Sequence, residues 1–175
     1  MTTRQGVAAV GAVLLLALTG CGPRAAGPSA DGNKHPRRTT QAAPTAGDVD
    51  ERALPAAGRA ALQYTLAARS WTASSYRAHY REQLALSTGS LRRALQQAPP
   101  TREQLAGYRA DDASLEATAL SATSLLDSPT QARYRLVLDE RSMAAGQTVQ
   151  EHATYLIELH HRGGHWLVSA FTVQP

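Results

Sequence analysis

At Asp111-Asp112 the hydrophobic period of this chain changes, and that change constrains its fold more than any other feature. Before it, apolar residues recur at helical spacing. Leu62 and Leu66 lie four apart, with Ala57, Ala61 and Ala68 widening the stripe into one face. Pro55 is tolerated only in a first turn, so a regular helix is predicted from near Leu54. The segment Trp71 to Tyr76 interrupts it, with Ser74 or Ser75 placed to cap a second helix carrying Tyr76, Tyr80 and Leu84. A short helical turn through Leu95 follows Ser87-Thr88-Gly89-Ser90. Thr101-Arg102-Glu103-Gln104 then has the capping-box pattern that opens a third helix with Leu105 and Tyr108.

After Asp112 the side chains alternate. A strand of mixed faces runs from Leu115 to Leu126. From Ala132 to Asp139 the inward set is Tyr134, Leu136 and Leu138; from Thr148 to His161 it is Ala153, Tyr155, Ile157 and Leu159. Gly163-Gly164 predicts a tight hairpin, because paired glycines reach the positive φ angles of a two-residue turn. That turn sets His161 opposite Trp166, Leu159 opposite Val168 and Ile157 opposite Ala170. Helices first and a meander afterwards predict an α+β domain over 51–175, its helices packed on a curved antiparallel four-stranded sheet.

The first fifty residues have another character. Arg4 precedes an apolar run from Gly6 to Leu18, which is shorter than the roughly 20 residues a bilayer crossing needs. A charged start, a short apolar core and a small-residue cleavage site are the parts of a secretory signal, here spanning 1–20. The chain has one cysteine, Cys21, immediately after it. Leu18-Thr19-Gly20-Cys21 resembles the bacterial lipobox, whose cysteine sulfur takes a diacylglycerol as the signal is cut. That resemblance implies a cell-membrane lipoprotein anchored at Cys21 on the extracytoplasmic face. Residues 21–50 are rich in Gly, Pro, Ala, Ser and Thr without a hydrophobic period, the composition of a disordered tether. The net charge of +4 arises from 18 basic against 14 acidic residues, a modest excess. Part of it, Lys34-His35-Pro36-Arg37-Arg38, lies beside the anchor, where basic residues favour an anionic membrane surface. No nucleic-acid partner is expected.

The chain from Ala60 to Tyr76, with Trp71 and Thr72 between helices, and the final Gly164-His165-Trp166-Leu167-Val168 resemble the nuclear-transport-factor-two-like (cystatin-like) fold. Within it the likeness is to small actinobacterial lipoproteins and to extracytoplasmic domains of conjugation scaffold proteins. The resemblance implies a pocket between the long helix and the sheet, which in some members is enzymatic. Its candidate lining here is Leu62, Leu66, Trp71, Tyr134, Leu136, Tyr155 and Ile157, and the same residues would equally build a packed core.

No Asp or Glu falls among the inward residues named above, so no catalytic residues are assigned and no enzymatic activity is expected. His152, His160, His161 and His165 gather near one hairpin but on both of its faces, and they read as a solvated tip. A zinc site needs three or four convergent ligands, so no metal and no cofactor is expected. A non-enzymatic module that binds a protein partner in an envelope assembly, of conjugation or secretion type, leads. A carrier or sensor of a small apolar ligand is the alternative.

Overall fold

A computed structural model describes residues 49–174. The signal, Cys21 and the tether up to residue 48 lie outside the described residues. The last two tether residues are described. The Val49 amide donates to the Ala119 carbonyl (3.2 Å), and Asp50 caps a single 3₁₀ turn over Glu51–Ala53.

Four helices precede the meander: α1 (Ala56–Arg69), α2 (Tyr76–Leu86), α3 (Gly89–Gln97) and α4 (Arg102–Ala110). Pro55 stands at the N-cap of α1, where a missing amide proton costs nothing. The Thr101 hydroxyl accepts from the Gln104 amide (3.1 Å), the expected cap of α4. The Gln104 side chain donates through Nε2 to the Tyr108 hydroxyl (2.9 Å). Ser75 stands at the N-cap of α2 but caps no helix amide; its hydroxyl accepts from the Thr72 amide instead (2.9 Å). Beyond the expected turn, α3 extends to nine residues.

The sheet has five strands, not four: β1 (Trp71–Thr72), β2 (Ser114–Asp127), β3 (Gln131–Ala144), β4 (Gln147–Arg162) and β5 (His165–Gln174), in the order β1-β2-β3-β4-β5. The additional strand is the two-residue break between α1 and α2. Trp71 pairs with Leu115 and Thr72 with Ser114. Two residues are too few to show an alternation, so only the pairing reveals them. At the last hairpin His161 faces Trp166 and Leu159 faces Val168, as the turn predicted. Gly163 (φ +58°) and Gly164 (φ +81°) supply the positive φ angles. The expected Ile157–Ala170 pair does not form. A bulge between Glu158 and Leu159 moves Ala170 opposite Glu158 and Phe171 opposite Ile157. Two more bulges interrupt the β2–β3 ladder, and such insertions increase local twist and bend a sheet.

Helix α1 lies on the inward face. Ala57 and Ala61 give it a thin surface there, and Leu62 and Tyr64 reach among Tyr134, Leu136, Leu138, Tyr155, Ile157, Leu159 and Val168. Thr65, fully buried, donates to the Ala61 carbonyl (2.8 Å), so its hydroxyl is not left unpaired. Helix and sheet come close enough at Gly58 that a Cβ would stand 3.1 Å from Cε1 of Tyr134. Gly107 in α4 has open space around it. Alanine in a helix interior is favoured over glycine by about 1 kcal/mol, so Gly107→Ala is expected to stabilise by about that amount. Gly58→Ala should instead destabilise by about 1 kcal/mol, because overpacking against a buried ring exceeds the helical gain. Urea midpoints of the two variants check this, and shifts of the same sign would contradict the close approach.

Candidate functional site

The candidate pocket residues divide into two places. Leu62, Tyr134, Leu136, Tyr155 and Ile157 belong to one buried cluster, and Leu66 packs against it half-buried. Their side chains meet one another across the helix–sheet interface, and Leu62 and Leu66 also line two depressions of about 210 and 310 Å³ at its edge. Trp71 is elsewhere. Its strand pairing turns it toward Tyr76 (ring centroids 4.9 Å) and Tyr108 (5.0 Å), forming an aromatic cluster beside the start of β2. With Thr72, Ser75 and His79 it lines an open groove of about 460 Å³.

The inward face also carries a carboxylate, contrary to the expectation from the sequence. The alternation of β3 continues past Leu138, and Glu140 occupies the next inward position with 1% of its surface exposed. Two side chains hold it. Arg69, the last residue of α1, binds it in bidentate fashion: Nε donates to Oε1 (2.9 Å) and Nη2 to Oε2 (2.6 Å). The Tyr155 hydroxyl donates to Oε1 (2.9 Å). The guanidinium also stands 5.5 Å from the centroid of the Tyr155 ring, within reach of a cation–π attraction. Phe171 stacks on the Tyr155 ring (centroids 4.9 Å) and meets the Tyr64 ring edge-on (5.3 Å).

The hydrogen bond that Arg69 donates to Glu140, opposed by burial and helped by the carboxylate's charge, raises the Arg69 pKa above its ordinary value. Burial is the main cause that pushes Tyr155 upward. The charge of Arg69 opposes the shift and the hydrogen bond to Glu140 adds to it. Burial alone pushes Tyr64 up to about 12. In the unfolded chain both tyrosines ionise near pH 10. Below pH 10 both states hold these protons and stability is unaffected. Between pH 10 and 12 only the unfolded chain releases them, so stability falls, by up to about 1.4 kcal/mol per pH unit for each group. Denaturant unfolding at pH 9, 10.5 and 11.5 is expected to show this decline. Tyr64→Phe should reduce its slope, and a slope unchanged by the substitution would contradict the assignment.

Glu140 is buried and accepts three hydrogen bonds from Arg69 and Tyr155, so the cluster joins α1 to the sheet. Among the described residues, no group of three or more His, Cys, Asp or Glu is placed to hold a metal ion. The four hairpin histidines are exposed or half-exposed; His161 lies against Trp166 (5.1 Å) and His152 within 3.4 Å of Asp139. No described helix is long and apolar enough to cross a membrane.

No protein-family model matches the chain, and no curated protein matches it. Its fold does have solved counterparts. The chain is similar to the periplasmic domain of DotI, with a TM-score of 0.52 and 17% identity over 67% of this chain and 92% of that one. It is similar to a TrwG component of a type IV secretion system protein from Bartonella birtlesii, with a TM-score of 0.50 and 16% identity over 66% and 87%. A TraE protein in complex with 2-(2-furyl)isonicotinic acid matches with a TM-score of 0.50 and 16% identity over 67% and 93%. At such identities the likeness is one of fold. The domain shares its fold with the periplasmic domain of DotI and with the TrwG component, in line with the likeness to conjugation-type extracytoplasmic domains expected from Trp71-Thr72 and the last hairpin.

Proposed function

We propose that this chain is a non-enzymatic lipoprotein, held at the extracytoplasmic face of the cell membrane through Cys21, whose domain binds a protein partner in an envelope assembly of secretion or conjugation type. The observation that carries the reading is the fold shared with the periplasmic domain of DotI over 92% of that domain. The lipobox-like Leu18-Thr19-Gly20-Cys21 supports the anchor. The packed helix–sheet interface supports a binding surface on the outside of the domain in preference to a ligand chamber inside it. The burial of Glu140 and its ion pair with Arg69 support a structural role for the inward carboxylate over that of a general base.

Photo-crosslinking in producing cells tests the proposal. A photoreactive residue at Gln63, Leu125 or Val149, all exposed, is expected to give adducts with exported or membrane-spanning protein from at least one position. Absence of protein adducts at all three would overturn the module reading.

A further inference from the structure

A groove of about 470 Å³ runs between α1, the end of α2 and the β4–β5 hairpin. Its principal lining is Arg59 and Gln63 from α1, Leu86 from α2, and Arg162, His165 and Trp166 from the hairpin. No Asp or Glu lines it. Among the described residues neither Arg59 nor Arg162 has a carboxylate within 4.0 Å; the ion pairs there are those of Arg69, Arg133 and His152. Arg59 donates through Nη1 to the Leu54 carbonyl (2.6 Å), which fixes the guanidinium without neutralising it. Glu82, which accepts from Gln63 (3.1 Å), lines the neighbouring depression.

The walls of the groove are tied together. Arg162 and His165 face each other across the Gly163-Gly164 turn. The Thr88 amide donates to the Val168 carbonyl (2.8 Å), joining the end of α2 to β5. Ala56, Ala60 and Ala85 leave room at the sides, and Trp166, half-buried, offers an aromatic wall. A concave site with cations at its edge, small residues along its sides and one aromatic wall complements an extended segment carrying both carboxylates and apolar side chains. The chain's own tether is a poor occupant. Its charged residues up to 48 are Arg24, Lys34, Arg37 and Arg38 against Asp31 and Asp48, which gives it the same sign as the groove.

We infer that this groove is the docking site for an acidic, apolar-containing peptide segment of a partner protein. The inference rests on the module reading and supplies its recognition chemistry. A flat anionic membrane surface fits less well, because Trp166 is half-buried as part of a concave wall.

The test uses the purified full chain in detergent and a fluorescein-labelled peptide of alternating glutamate and leucine, read by anisotropy. The acidic peptide is expected to bind at least tenfold more tightly than its glutamine–leucine counterpart, and to weaken as salt rises. Arg59→Glu combined with Arg162→Glu should reduce binding at least tenfold. Both residues are exposed, so circular dichroism should be unchanged, and Arg59→Gln with Arg162→Gln gives a milder loss in the same direction. Equal binding of the two peptides, or equal binding by the charge-reversed chain, overturns the inference. Binding to phosphatidylglycerol vesicles without binding to the peptide also overturns it, in favour of a lipid surface. Peptide failure alongside protein adducts in cells removes this groove and leaves the module reading in place. Absence of adducts removes the module reading itself.

Discussion

Arg69→Met is expected to lower the unfolding free energy by about 4 kcal/mol. The substitution keeps an unbranched apolar stem but leaves the Glu140 carboxylate, 1% exposed, without its cation. Removing one partner of a buried ion pair costs about 3–5 kcal/mol, because the remaining charge stays desolvated and uncompensated. Glu140→Leu should cost less, about 2–3 kcal/mol on the same scale. Arg69 keeps 31% of its side chain exposed and can turn its charge to water, so only the buried Tyr155 hydroxyl loses an acceptor outright. The double variant should recover most of the loss, since an apolar pair of similar volume is often neutral in such a place. Denaturant unfolding of the cycle measures the coupling. Single losses below about 1 kcal/mol, or strict additivity, would show that the cluster does not join α1 to the sheet.

Cys21→Ser is expected to move the protein out of the membrane fraction almost completely. A hydroxyl at that position cannot accept the thioether-linked diacylglycerol, and no described helix offers a substitute span. Each buried methylene contributes about 0.8 kcal/mol, so two long acyl chains hold a protein where none leaves it free. Fractionation with carbonate-washed membranes reads the result. A variant that remains membrane-bound to the wild-type extent would place the attachment elsewhere.

What the sequence disclosed follows from how far each signal repeats. Tyr134, Leu136 and Leu138 on β3, and Tyr155, Ile157 and Leu159 on β4, repeat at period two long enough to identify both strands and their inward faces. The Gly163-Gly164 turn then set the first pairs of the last hairpin. Signals without repetition were missed. Asp139-Glu140-Arg141-Ser142 is polar and reads as the end of a strand, although β3 continues to Ala144 and carries Glu140 inward. The parity of Leu136 and Leu138, extended by one step, would have found it. Trp71 follows the last turn of α1, and its direction is decided by pairing with Leu115, a contact 44 positions away that no local period encodes. The bulge at Glu158-Leu159 likewise leaves no local mark, and it moves Phe171 into the place expected for Ala170. The site was thus legible as an apolar interface. The charge pair inside it depended on strand length and on the meeting of α1 with β3.

Native mass spectrometry of the full chain extracted from membranes tests the account most directly. A filled, lipid-anchored module predicts one species that lacks residues 1–20, carries acyl chains on Cys21 and retains no small molecule after desolvation. A mass that keeps the first twenty residues with an unmodified Cys21 would contradict the anchor, and a stoichiometric lipid or metabolite held by the domain would make it a carrier.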